Sequence, residues 1–293
     1  MKPAYLIDSS IYIFRFYFSK RRSMLSRSGR EVTTVLAWTH WLMRLLQDQK
    51  PEFVACCFDE SLHTGFRHQI NACYKRNRAL PDEELAYELL ACKKIASYLG
   101  IATFASEEFE ADDLIAALAR LARLDNAEPW VLSRDKDLAQ ILMLNNGRLW
   151  DYSYSQALNY QAFKQAFDIA PERIAEYLAI VGDRADNISG VHGIGKKSLS
   201  AIFSELKSWQ QIKTDFTAVS GLSIRAAKSL AHKLQENEAL IDANLALTHL
   251  RDDCLSDADY NIAHTSINKQ ALLVLFDEFK APTGLYQLLE KLC

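Results

Sequence analysis

No two cysteines stand in a CxxC spacing, although the chain carries six, at positions 56, 57, 73, 92, 254 and 293. At 293 residues the chain is long for a disulfide scaffold, so these thiols are expected to be free and the compartment a reducing cytoplasm. An apolar stretch of membrane-spanning length is also missing. The N-terminus, MKPAYLIDSS, meets an aspartate at position 8, inside the region where a signal peptide needs its apolar run. A membrane partner is therefore not expected. An excess of positive charge is absent too, since 34 Lys and Arg face 37 Asp and Glu for a formal net charge of −3. That balance argues against a basic protein that coats nucleic acid through its overall field. It leaves room for a protein whose basic residues cluster apart from its acids. There is no internal repeat, low-complexity tract or long linker, and nothing suggests an obligate assembly, so a monomer is expected.

What is present is an ordinary globular composition, 49% hydrophobic and 24% charged. The length suits one sizeable α/β domain with a helical extension. The basic residues do cluster, as Lys20-Arg21-Arg22 with Arg27 and Arg30, as Lys75-Arg76 with Arg78, and as Lys196-Lys197. Taken singly, each reads as a solvated surface run.

The pattern worth following is that apolar runs end in acids. Ala4–Ile7 reads as a buried strand and stops at Asp8, which by itself would be a plain helix cap. The run from Phe53 to Phe58 stops at Asp59, and the strand from Pro129 to Ser133 runs out into Asp135 and Asp137. Ile101–Ala105 is a further short strand and 147–151 an edge strand. Helical patterns lie between them, over Tyr12–Phe18, Val32–Gln47 and Pro81–Leu99, with Trp38 and Trp41 assigned to the core. A helix over Ser106–Arg123 starts with its acids crowded together, where Glu110 and Asp113 face one way and Asp112 flanks them. A helix dipole accounts for one or two such acids, but three within four residues repel one another unless a cation sits among them. This alternation predicts a mostly parallel sheet with helices on both faces. Ligands of such sheets bind at the strands' carboxyl ends.

Between Ser61 and Pro81 the chain turns irregular and basic, with Arg67, His68, Lys75, Arg76 and Arg78 among Phe66 and Tyr74. Cations interleaved with rings suit a single strand of nucleic acid, and a mobile charged loop is the plainer reading. From Tyr160 onward the pattern is helical, with Pro171 opening a helix over Glu172–Val181 and further helices at roughly 208–214, 222–248 and 268–278. Between them lies the stretch GDRADNISGVHGIGKKS, residues 182–198. Asp183 and Asp186 share one side of a turn there, and Gly193, Gly195, Lys196, Lys197 and Ser198 form a hairpin opening a helix. Exposed N–H groups at a helix start beside lysines make a phosphate seat, or else a Gly-rich loop before an ordinary helix.

Nine acids, Asp8, Asp59, Glu110, Asp112, Asp113, Asp135, Asp137, Asp183 and Asp186, thus come from separate segments that the sheet would bring to one edge. Oxygen donors without Cys or His point to two Mg²⁺ ions, with Mn²⁺ as a substitute, rather than zinc. Two such ions about 4 Å apart activate a water and stabilise the leaving oxygen of a phosphodiester.

The runs LIDSS, CCFDE, YKRNR, EADDLIAAL, SRDKDLAQIL and IVGDRADNISGVHGIGKKS, in this order, resemble the 5′-nuclease family. That family joins the 5′→3′ exonuclease domain of bacterial DNA polymerase I, the phage 5′-nucleases and the flap endonucleases. The resemblance covers the chain to about residue 250. It implies a PIN-like, resolvase-like α/β domain over 1–168, with an arch at about 61–81, and a helical region over 169–293 containing a helix-three-turn-helix motif. No polymerase domain fits in the remaining length, so a stand-alone bacterial or phage-type member, or a short paralogue of the polymerase-linked domain, is implied. By the same resemblance, Asp8, Asp59, Glu110, Asp112 and Asp113 surround one metal position, and Asp135, Asp137, Asp183 and Asp186 the other. Lys75 and Arg78 match the arch cations that stabilise charge on the scissile phosphate, Tyr74 a ring that stacks on a base, and Arg15 a contact to the 5′ strand. The hairpin residues would hold duplex DNA and bind K⁺. Substrates implied are DNA with a 5′ flap, 5′ overhang or nick, with an RNA–DNA hybrid as an extension.

The chain departs from the family's pattern at Arg134, where a small residue is usual before DKD. It also departs at Ala79 and His192, where proline is common, and at Trp38, where a glycine is expected. Two other readings compete with a metal-dependent 5′→3′ exonuclease and flap endonuclease. One is a junction-binding DNA protein with attenuated chemistry, and the other a PIN-type ribonuclease.

Overall fold

In a computed structural model, residues 1–20, 22–61, 64–144, 146–152, 155–206 and 208–293 are described. Arg21 of the first basic cluster and Leu62 and His63 of the expected arch lie outside the described residues. Five strands, β1 (Lys2–Asp8), β2 (Phe53–Asp59), β3 (Ala102–Ser106), β4 (Ala127–Leu132) and β5 (Arg148–Trp150), form one sheet in the order β3-β2-β1-β4-β5. Every pairing in it is parallel. The strand order reverses between β1 and β4, and a crevice opens outside the carboxyl ends at such a point. Asp8 ends β1 there, Asp59 ends β2, and Asp135 follows β4.

Helices α1 (Ser9–Ser19), α2 (Thr33–Gln49), the short α3 (Phe66–Ile70), α4 (Glu83–Tyr98), α5 (Ala111–Leu121) and α6 (Tyr160–Phe167) connect and flank these strands. Because side chains alternate along a strand, β1 feeds two cores. Tyr5 and Ile7 face α1, α2 and α4 in one core, while Ala4 and Leu6 face α5 in the other. Trp38 is fully buried with its ring 6.3 Å from that of Phe58, so the tryptophan that replaces the expected glycine fills the first core. Burial on both faces explains why β1, β2 and β4 read as continuous apolar runs.

The helical region continues with α7 (Ile174–Val181), α8 (Lys196–Glu205), α9 (Trp209–Thr214), α10 (Phe216–Ser220), α11 (Ala227–Glu236), α12 (Glu238–Thr248), α13 (Lys269–Glu278) and α14 (Thr283–Leu292). Pro171 opens a 3₁₀ turn, Pro171–Arg173, ahead of α7. Residues of α7 through α12 share a third core built on Ile180, Leu199, Ile202, Trp209 and Leu234. The expected boundary at 168/169 is crossed again at the end of the chain. Residues 262–264 run antiparallel along the start of β2, where Val54 N–H donates to Ile262 O and His264 N–H to Glu52 O, both at 2.8 Å. Leu272, Phe276, Leu285 and Leu289 of α13 and α14 are then buried in the first core beside α2 and α4. The last thirty residues therefore complete the α/β layer instead of extending the helical one. Among the described residues no helix is long and apolar enough to cross a membrane.

Candidate active site

Asp8 is the N-cap of α1, where its carboxylate accepts from Ile11 N–H at 3.2 Å and from Ser133 Oγ at 2.9 Å. Burial, and then the charges of Asp135 and Asp59, push its carboxyl up to about 7. Ser133 in turn accepts from Asp135 N–H at 3.0 Å, and Asp135 Oδ1 accepts from Asp137 N–H at 3.0 Å. A chain of backbone and hydroxyl contacts thus fixes β1 against the loop after β4. Asp112 is pushed well above the ordinary carboxylate range by burial and then by Asp8 and Asp135. Asp137 is raised likewise, by burial and then by Asp135, and its Oδ1 is buried without a hydrogen-bond partner among the described residues. Asp59 joins from β2, its Oδ1 accepting from Ser61 Oγ at 2.9 Å. Asp183 and Asp186 sit on a two-stranded turn, Gly182–Asp183 against Ile188–Ser189. A β-carbon on Gly190 would collide with the Val181 carbonyl, so that glycine lets the turn close against the end of α7. Lys136 reaches to 3.6 Å from Asp183.

Residues 67–78 lie down on this acidic edge. Lys75 is 8% exposed, and its Nζ donates to Glu110 Oε1 at 2.8 Å and stands 3.9 Å from Asp186 Oδ2. Burial would lower the Lys75 ammonium, but Glu110 and Asp186 raise it. Its backbone is in the left-handed region at φ 50°, with its N–H on the Asp186 carbonyl at 2.9 Å. A non-glycine residue in that region stores strain that the surrounding contacts must offset. Arg78 pairs with Asp186, and Asn187 Nδ2 donates to the Cys73 carbonyl at 2.6 Å. Tyr74 is 2% exposed, its hydroxyl 3.1 Å from both Glu110 and Asp186. Burial would raise Glu110, yet Lys75 and Arg67 hold it below the usual carboxylate range.

Arg67, which reads in the sequence as one more loop cation, is 3% exposed. Its fork binds both oxygens of Asp113, at 2.5 and 2.8 Å, and donates to the Leu247 and His249 carbonyls at the end of α12. Asp113 also accepts from the N–H groups of Glu110 and Arg251, closing the capping box of α5. Eight of the nine acids therefore converge, whereas Asp113 is turned into a buried ion pair with all its hydrogen-bonding capacity in use. The sequence gives no sign of this, because the partners stand 46 and 180 residues apart.

Two other site residues sit differently from expectation. Tyr74 is buried under the segment, so its ring face is not presented for stacking on a base. Arg15 is held by Asp151 through two 2.8 Å contacts. The hairpin, by contrast, lies open: Gly195 is the N-cap of α8, Gly193 has φ +78°, Lys196 and Lys197 are exposed and Ser198 is half-buried. A β-carbon at Gly193 would collide with the ammonium of Lys233 from α11, a further cation at the seat.

The donor set is all oxygen, and burial and neighbouring carboxylates raise three of its acids, Asp8, Asp112 and Asp137, so that their ionised forms are favoured by an added cation, which fits hard divalent ions. Among the described residues no three acid side chains are drawn around one point, and Glu110 and Asp186 are held by Lys75, Arg78 and Tyr74.

Residues 3–168 match the family model of the 5′–3′ exonuclease N-terminal resolvase-like domain, and 169–271 that of the 5′–3′ exonuclease C-terminal SAM fold. The chain belongs to the 5′–3′ exonuclease family. Within that family it is 26% identical over 276 residues to a 5′–3′ exonuclease of Aquifex aeolicus, covering 92% of this chain and 90% of that one. It is 29% identical to DNA polymerase I of Borreliella burgdorferi over 96% of its own length but only 31% of the relative's, so it spans about a third of such polymerases. In fold it is similar to the T5 D15 protein co-crystallised with metal ions, at TM-score 0.69 and 18% identity over 99% of this chain and 98% of that one. The T5 D15 flap endonuclease complex with DNA and metal ions matches at TM-score 0.68 and 19% identity, over 99% of each chain.

Proposed function

We propose that this chain hydrolyses phosphodiesters at the 5′ ends and 5′ flaps of DNA, as a divalent-metal-dependent 5′→3′ exonuclease and flap endonuclease. What supports the reading is that Asp8, Asp59, Glu110, Asp112, Asp135 and Asp137 at the sheet's carboxyl end meet Asp183 and Asp186 of the turn after α7, with Lys75 on Glu110 and Arg78 on Asp186. Asp8, Asp59, Glu110 and Asp112 are assigned to one cation position, and Asp135, Asp137, Asp183 and Asp186 to a second. Mg²⁺ is the expected ion, with Mn²⁺ able to replace it. Ions at these positions would supply a water of lowered pKa and neutralise the leaving oxygen. Asp113 acts as a positioning residue through Arg67. Lys75 and Arg78 exchange their carboxylate partners for the scissile phosphate, where their charge is worth most in the transition state. The Tyr74 hydroxyl keeps Glu110 and Asp186 oriented while the cations move.

Gly193, Gly195, Lys196, Lys197 and Ser198 hold the backbone of the duplex portion. K⁺ at this hairpin requires the Lys233 ammonium to stand aside. The nuclease and hairpin halves divide at 168/169, with the last two helices returning to the first half. Flapped, overhanging or nicked DNA is the substrate class, an RNA–DNA hybrid is a further substrate, and the protein works as a cytoplasmic monomer.

The second reading, a junction-binding relative with attenuated chemistry, draws on the neutralisation of Glu110 and Asp186 by Lys75, Arg78 and Tyr74. Cleavage of a 3′-labelled 5′-flap duplex with and without Mg²⁺ separates the two. Metal-dependent product near the junction, lost in Asp112→Ala, is the expected result. Binding without cleavage in both Mg²⁺ and Mn²⁺ would sink the enzyme reading, and a matched RNA flap tests the ribonuclease alternative.

A further inference from the structure

Arg15 is the residue that the family pattern offers as a contact to the 5′ strand, and its guanidinium is engaged inside the protein. Both terminal nitrogens lie 2.8 Å from the Asp151 carboxylate, and the group stands 5.2 Å from the centre of the Tyr12 ring. The Arg15 side chain is only 15% exposed. A guanidinium already forked on a carboxylate has little left to offer a phosphate.

A second guanidinium stands beside it. Arg134 is exposed and forms no hydrogen bond or ion pair among the described residues. It lines a cavity of about 440 Å³ with Ile11, Phe14, Arg15, Phe18 and Ser19. That volume lies within the range of small-ligand sites, about 300–1,000 Å³. Phe14 and Phe18 stack at 6.4 Å between centroids and 23° between planes, and Phe18 is 79% exposed. The same two rings also line a larger cavity, about 690 Å³, that reaches Asp59, Glu110, Lys75 and Arg78. They form a ridge with the acidic edge on one side and Arg134 on the other. A free guanidinium beside an exposed aromatic face is the chemistry of an unpaired nucleotide, with its phosphate on the cation and its base on the ring.

We propose that Arg134 contacts a backbone phosphate of the substrate's unpaired strand, taking over the contact that Asp151 withholds from Arg15, with Phe18 as the stacking face for the adjoining base. The inference rests on the nuclease reading and names the part of the strand that the site grips.

The test is fluorescence anisotropy of a labelled 5′-flap duplex and of the matching blunt duplex in EDTA, over a salt series, alongside flap cleavage by the wild type in Mg²⁺. Arg134→Ala is expected to weaken flap binding about tenfold, the loss of one charge-assisted contact. The salt slope of flap binding should fall by about 0.7, the value for one phosphate of a single strand. Blunt-duplex affinity should stay unchanged. Phe18→Ala should weaken flap binding with the slope retained. Adding Asp151→Asn to Arg134→Ala frees Arg15 and should restore part of both the affinity and the slope. Thermal denaturation of each variant separates a lost contact from a lost fold. Wild-type cleavage with unchanged affinity and slope in Arg134→Ala overturns the contact alone. A wild type that neither binds nor cleaves the flap overturns the nuclease reading as well.

Discussion

The acidic edge and the glycine hairpin use lysine and arginine in opposite ways. At the edge, Lys75 and Arg67 are 8% and 3% exposed and each is locked on carboxylates. At the hairpin, Lys196 and Lys197 stand exposed at the first turn of α8. A buried pair has lost its water, so removing one partner strands a charge, whereas an exposed cation is solvated whether or not a phosphate arrives. The edge therefore couples chemistry to stability, and the hairpin couples binding to salt.

The sharpest way to break this contrast is Arg67→Ala, which strands Asp113, fully buried at the start of α5. A loss of roughly 3–5 kcal/mol in urea unfolding is expected, with Arg67→Lys recovering only part because ammonium lacks the fork. A loss below about 1 kcal/mol would place this pair with ordinary surface ion pairs. Lys75→Ala is next. Its turnover on a 5′-flap duplex should drop about 10²–10³-fold at saturating substrate, as for a lost transition-state donor. If only KM rises, Lys75 behaves like a hairpin lysine and the contrast fails.

A pH series sharpens the same point. An Asp8 carboxyl held at about 7, against 3.8 when unperturbed, keeps a proton in the folded state that the unfolded chain has released. This contribution favours the fold at low pH and is lost as pH rises from about 4 to about 7, at up to about 1.4 kcal/mol per pH unit. Asp112 and Asp137 act in the same direction. Added Mg²⁺ should therefore raise the melting temperature more at pH 8 than at pH 5.5, and an equal rise at both would contradict the shared origin of these shifts. The smallest effect is expected from Lys196→Ala with Lys197→Ala. Duplex binding should weaken a few-fold with a salt slope lower by about 1.8, two phosphates at about 0.9 each, and with turnover at saturation retained.

Much of the layout was legible because it is local. Asp8, Asp59 and Asp135 could be placed at strand ends from the apolar runs before them, and the parallel sheet followed from alternation. Errors arose where a side chain competed with the backbone. The helix expected from Ser106 begins only at Ala111, since Ser106 Oγ accepts from the N–H groups of Glu108 and Phe109 at 3.1 Å and holds a turn. The single helix expected over 222–248 is divided at Asn237, whose side chain donates to the Lys233 carbonyl at 2.8 Å. α10 and α14 stand outside the helical patterns of the sequence, and the short α3 lies in a segment that reads as loop.

By itself the sequence determined the family, the sheet and the acids that end or follow its strands, Asp8, Asp59 and Asp135, because strand periodicity and residue order along a segment are properties of near neighbours. Tertiary structure alone decided which cation each acid meets. It turned Asp113 to Arg67 and away from the cluster, tied Arg15 to Asp151 while leaving Arg134 open, and folded α13 and α14 back onto the first core. Charge pairs of this kind join residues far apart in the chain, and their geometry exists only once the packed elements have excluded water and fixed each side chain's reach.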